Sequence, residues 1–117
     1  MPFSNLIAGI VGARKEQTIR KHIKVLTGVS PKNISLYEQA LRHSSVSSDK
    51  KPSNERLEFL GDTVLSLSIS QVLYKVLGEM TEGELSRIRA NLVRQETLHE
   101  IAVTLDLGPL IRLGEGE

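Results

Sequence analysis

The sequence predicts an all-α domain. Apolar residues recur at helical spacing in each long segment, and Gly, Pro and Ser clusters punctuate the segments. The longest segment contains good β formers (Val64, Ile69, Val72), but its length and 3.6-residue pattern select helix. At 117 residues, with 39% hydrophobic and 25% charged residues, the chain reads as a soluble globular domain with a modest core.

The opening stretch MPFSNLIAGIVGARK lacks the basic start of a signal peptide. Residues 1–13 read as a short amphipathic segment with Phe3, Leu6, Ile7 and Ile10 on one face, and residues 14–117 as the domain proper. The first domain helix spans Arg14 to Leu26, with Ile19, Ile23 and Leu26 as its core face, and TGVSP stops it. A second spans Ser35 to His43, followed by the loop SSVSSDKKPS. The third and longest starts near Ser53 and ends near Gly78. TEGELSRIRANLV and RQETLHEIAVTLDL supply the fourth and fifth, the last ended by Gly108-Pro109. No apolar run is long enough to span a bilayer, and the absence of cysteine excludes disulfides and thiolate metal sites. A cytoplasmic protein is expected.

Charge is segregated along the chain. Residues 1–52 hold nine Lys/Arg against three Asp/Glu, whereas residues 53–117 hold six against eleven. Such a division suits a basic half that meets phosphate and an acidic half that gathers cations; ordinary solvated surface charge is the equal alternative.

The third helix has two apolar stripes at 100° per residue: Leu57, Leu60, Val64 and Leu67, and then Leu65, Ile69, Val72, Leu73 and Val76. Such a helix is expected at the centre of its bundle. The second stripe runs, toward the N-terminus, into Glu55, Glu58 and Asp62. The helix dipole favours acids in the first turn, which accounts for Glu55 and in part Glu58. It does not account for Asp62, two turns in, where Glu58 and Asp62 at i, i+4 repel. A hard divalent cation, Mg²⁺ or Mn²⁺, is one counter-charge for such a cluster, because His22, His43 and His99 are scattered. Phe59 lies on the remaining face among Thr63, Ser66 and Ser70, either as a tolerated exposed aromatic or as a plug for a partner's pocket.

NERLEFLGDTVL resembles the signature of the ribonuclease III family. LYEQALRHSS resembles the family's preceding segment, and the stretch from LYKVLGEM to LGEGE the following one, so the likeness covers about residues 34 to 117. The resemblance implies a ribonuclease III endonuclease-domain-like helical bundle that cuts double-stranded RNA as a homodimer with Mg²⁺. In the family this serves RNA precursor processing. By the same resemblance, Glu58 and Asp62 match metal-binding acids, and Glu55 and Glu82 match acids of the catalytic valley. Phe59 matches the aromatic that plugs the other subunit. The motif assigns no firm role to the first-half basic residues or to Arg87, Arg89 and Arg94. The family's second acid pair, in a pattern like D-x-x-E-A-x-x-G, has no match after Asp106, and Glu115 and Glu117 belong to the turn before it. The chain therefore reads as an incomplete catalytic domain, truncated at its C-terminal end and without the double-stranded RNA-binding domain. A non-catalytic RNA-binding or scaffold module of the same fold is the alternative.

Overall fold

The computed structural model describes the backbone of residues 2–114 and the side chains of residues 6, 10 and 14–114. Phe3, Ile7, Glu115 and Glu117 therefore lie outside the described side chains. Five α-helices follow one another: α1 (Pro2–Thr27), α2 (Ile34–Ala40), α3 (Glu55–Val76), α4 (Glu82–Leu92) and α5 (Gln95–Thr104). No β-strand is formed among the described residues, so the all-α expectation holds. None of these helices is long and apolar enough to cross a membrane. The chain divides into two compact units, one formed by residues up to Asn54 with those from Leu110, the other by Glu55–Pro109.

In the first unit, α1 is one continuous helix, and the separate short helix expected before Arg14 is not seen. No proline falls inside it after Pro2, and Gly9 and Gly12 cost only about 1 kcal/mol each, too little to break it. Ile19 is buried and Ile23 and Leu26 are half-buried, as the periodicity predicts. Gly28 ends the helix in the left-handed region (φ 76°), its N–H donating to the Lys24 carbonyl at 2.8 Å. The Arg20 guanidinium donates to the carbonyl of buried Pro31 at 2.8 Å, tying the following turn back to α1.

Helix α2 packs on α1 and stops at Ala40, three residues before its expected end. The cause is distant in sequence. His43 N–H donates to the Arg112 carbonyl (3.0 Å) and Arg112 N–H to the Leu41 carbonyl (2.8 Å), which draws Arg42 into a bridge with Arg112. Arg42 is buried, and its guanidinium donates to the Pro52 carbonyl at 2.9 Å. Asn54 N–H donates to the Arg42 carbonyl and the Asn54 side chain to Ala40, so this residue closes the loop. The loop carries a single 3-10 turn, Ser44–Val46, which periodicity had not indicated. Gly114 N–H donates to Ser45 Oγ at 2.7 Å, and a Cβ at 114 would sit 2.9 Å from Ser45 Cβ. This close approach requires glycine.

In the second unit, α3 packs chiefly on α4, and α4 on α5. The expectation that α3 is covered on both apolar sides is not met among the described residues. Leu65, Ile69 and Leu73 are half-buried, but Leu60, Val64 and Leu67 are 60%, 56% and 69% exposed. Val72 and Val76 are exposed as well. Periodicity marks which faces are apolar, not what lies against them, and no described element of this unit covers that side. A capping box opens α4: Thr81 Oγ1 accepts from Glu84 N–H, and the Glu84 carboxylate accepts from Thr81 N–H at 2.8 Å. That backbone hydrogen bond first, and the Thr81 hydroxyl second, hold the Glu84 carboxyl below its ordinary 4.5. A depressed carboxyl stabilises the fold above its unfolded pKa and loses that contribution as pH falls through the folded value. Thr81→Ala is expected to lower stability by about 1 kcal/mol at neutral pH. Only the part of that difference carried by the Thr81 hydroxyl on the Glu84 carboxylate should be lost on acidification below 4.5, because the backbone N–H at position 81 remains in the variant. Urea unfolding at several pH values measures it, and a difference that grows on acidification would refute the coupling.

Candidate functional site

Glu55 and Glu58 occupy the first turn of α3, and Asp62 follows one turn after Glu58. All three are exposed. The rise of an α-helix separates the Glu58 and Asp62 backbones by about 6 Å along the axis, so their carboxylates can converge on one ion. Arg94 pairs with Glu96 at 4.0 Å, and among the described residues no cationic side chain pairs with Glu58 or Asp62. Both groups are hard oxygen donors, which fits Mg²⁺ in chemistry. They form a pair only. Among the described residues no group of three or more His, Asp or Glu is arranged to hold a metal ion.

Of the acids singled out in the sequence, Glu58 and Glu82 line two different grooves, and Glu55 and Asp62 line neither of them. Glu58 lines an open groove of about 1010 Å³ together with Gln95, Glu96, His99 and Glu100 of α5. Glu82, at the start of α4, lines a second groove of about 620 Å³ between α3 and α4, with Leu67, Leu73, Tyr74, Met80 and Leu85 among its walls. Its carboxylate accepts from the Ser86 hydroxyl at 2.7 Å. Glu58 and Glu82 thus do not share a groove. Glu96, His99 and Glu100 were not singled out in the sequence, although their i, i+3, i+4 spacing puts them on one face of α5. That spacing was the available signal, and the grouping with Glu58 across two helices was not.

Phe59 is 80% exposed. The small polar face expected beside it is only partly open. Thr63 is exposed, but Ser70 Oγ donates to the Ser66 carbonyl and accepts from the Arg89 guanidinium at 2.8 Å. Arg89 therefore serves the α3–α4 packing. Arg94 meets Glu96 and Thr97 of its own helix, the ordinary pairing open to it, while Arg87 is exposed.

Comparison with known proteins adds three findings. Residues 33–117 match a family described as ribonuclease-III-like. Ribonuclease 3 of Variovorax paradoxus and that of Delftia acidovorans are each 58% identical over 82 residues, 70% of this chain. The chain spans 35% of the length of each of these relatives. The nuclease domain of ribonuclease III from Campylobacter jejuni superposes with a TM-score of 0.75 at 35% identity, covering 82% of this chain and 66% of that one. That structure was described for flexibility in a region involved in dimer formation. A second structure of the same nuclease domain gives a TM-score of 0.74.

Proposed function

This chain belongs to the ribonuclease-III-like family, and from that premise we propose that it forms part of the catalytic domain of a cytoplasmic endonuclease that hydrolyses double-stranded RNA. The observation that carries the reading is the pair Glu58 and Asp62, exposed on one face of α3, a turn apart and without a neutralising side chain. On this reading residues 14–117 belong to the endonuclease domain, with residues 1–13 as its N-terminal extension. RNA precursors are the substrates that the family resemblance suggests.

Glu58 and Asp62 are the residues that hold Mg²⁺, with Mn²⁺ as a substitute. The bound ion supplies a water of lowered pKa and a Lewis acid for the phosphate. Glu55, in the same turn as Glu58, adds negative potential that favours the cation at this end of α3. Glu82 acts in a supporting role toward substrate from the mouth of the α3–α4 groove. Two carboxylates with no third protein ligand hold a hydrated divalent ion weakly, so the 117 residues alone are expected to cut slowly. Duplex RNA is addressed through its phosphates and 2′-hydroxyls, since its deep, narrow major groove hides the base edges. Pairing two chains presents two such sites to the two strands. Phe59 is the plug of that homodimer, and the apolar α3–α4 groove is the hollow on the same unit best suited to receive it.

Because Glu58 and Asp62 form only a pair among the described residues, a second reading stays open, a non-catalytic module of the same fold that binds RNA. Single-turnover incubation with a long RNA duplex and Mg²⁺ separates the two. Slow scission to 5′-phosphate and 3′-hydroxyl ends, lost in Asp62→Asn, supports the endonuclease. Binding of duplex with no scission supports the non-catalytic module. Rapid scission abolished by Asp62→Asn refutes the weak two-carboxylate site.

A further inference from the structure

Helix α1 carries a basic face that neither the metal pair nor the dimer contact uses. At 100° per residue, Arg14, Gln17, Thr18, Lys21, Lys24 and Val25 fall within an arc of roughly 120°. This arc lies opposite the core face of Ile19, Ile23 and Leu26. All six residues are exposed, and no acid falls on the arc. Lys15, also exposed, flanks it, while Glu16 lies outside it toward the core side. Among the described residues no ion pair involves Arg14, Lys21 or Lys24.

Ordinary surface charge explains this face poorly. Solvated helices commonly intersperse both signs and gain from acid–base pairs at i, i+4, whereas here Lys21 and Lys24 at i, i+3 repel. The helix dipole accounts for Lys24, in the last turn, but its effect fades within that turn and does not reach Lys21 or Arg14. Two other basic residues of this unit differ. Arg20 is spent on Pro31 and Arg42 on Pro52, each by a hydrogen bond to a backbone carbonyl. Arg14, Lys21 and Lys24 span about 15 Å of helix, a row of three cations with Gln17 between them as a neutral donor.

We infer that this face of α1 is a binding surface for the phosphate backbone of double-stranded RNA, with Arg14, Lys21 and Lys24 as the contacting cations. The assignment rests on the duplex-RNA reading above. A continuous α-helix does not enter the deep, narrow major groove of an A-form duplex, so the row contacts phosphates at its edge and reads no bases. Each neutralised phosphate releases condensed counterions, so the surface reveals itself in the salt dependence of binding.

The test measures binding of a labelled, blunt RNA duplex by fluorescence anisotropy without divalent ions, so that no cleavage intervenes. The full chain is compared with the triple variant Arg14→Gln, Lys21→Gln, Lys24→Gln and with a charge-matched control, Lys32→Gln, Lys50→Gln, Lys51→Gln, whose positions are exposed off the arc. Circular dichroism establishes that both variants fold. The triple variant is expected to lose about tenfold or more in affinity near 50 mM salt. Its slope of log K against log salt should fall by about 2 to 3, while the control keeps most of the parent slope. An equal loss in both variants overturns the proposal, because binding then follows diffuse net charge. No measurable duplex binding by the parent also overturns it, as does preferential binding to anionic phosphatidylserine vesicles at the same salt. Duplex binding through this face by a chain that never cuts RNA leaves the proposal standing and refutes the endonuclease reading.

Discussion

Asp62→Asn is expected to abolish the stabilisation of this protein by Mg²⁺ while leaving its fold intact. Two carboxylates on one helical turn make a weak site, with a dissociation constant on the order of 1 mM, the weak end of carboxylate-held cations. An ion that binds only the folded chain at that affinity adds about 1.4 kcal/mol at roughly 10 mM Mg²⁺. Glu58 and Asp62 are both exposed, so removing one charge breaks no buried contact. Without metal the substitution should raise stability by roughly 0.2–0.5 kcal/mol, because it relieves a like-charge pair at i, i+4. The signature is thus a crossing. The variant is at least as stable as the parent in chelator and less stable in Mg²⁺, with Glu58→Gln behaving alike. Denaturant unfolding with and without Mg²⁺ measures it. Equal Mg²⁺ responses in parent and variants would remove the metal from this pair, and micromolar binding lost on Asp62→Asn would mean that further ligands complete the site.

Phe59→Ala is expected to raise the dissociation constant of the proposed homodimer about thirtyfold or more, the cost of deleting an aromatic hot spot of at least 2 kcal/mol. Stability of the separated chain should change by no more than about 0.5 kcal/mol, since Phe59 is 80% exposed and contributes almost nothing to its own unit. That contrast makes the measurement decisive. A packing residue would lose monomer stability, whereas a docking residue loses association alone. Sedimentation equilibrium across a concentration series, paired with thermal unfolding at low concentration, reads both quantities. A dimer unaffected by the substitution, or a parent chain that stays monomeric, removes Phe59 from the interface. The neighbouring exposure of Leu60, Val64 and Leu67 marks the same helix as one whose apolar surface is incompletely covered within its unit.

Much of the candidate site was readable without coordinates because it depends on neighbours along one helix. The placement of Glu58 and Asp62 one turn apart, and of Phe59 to their side, follows from helical geometry once α3 is recognised. The Thr81 cap is local in the same way, since S/T-x-x-E before an apolar run carries its own hydrogen-bond partners. The core face of α1 held at Ile19, Ile23 and Leu26 for the same reason. The grouping of Glu58 with Glu96, His99 and Glu100 was not readable, because it joins two helices separated by a third. Nor was the separation of Glu82 from that group, or the capture of Ser70 by Arg89, which closes part of the polar face beside Phe59.

The sequence by itself determined most of the helices and the placement of Glu58, Phe59 and Asp62 around α3, because spacings of three and four residues decide them and the chain carries those wherever it folds. The family was legible from the motif NERLEFLGDTVL rather than from spacing. Only the tertiary structure decided where α2 stops, which side of α3 stays open and which acids share a groove. Those outcomes rest on partners distant along the chain: Arg112 bridging to residues 41–43, Gly114 admitted against Ser45 from 69 residues away, and α4 rather than another element lying on α3. An apolar stripe states that a face gains by being covered, but what covers it is set by elements elsewhere in the chain or by a partner.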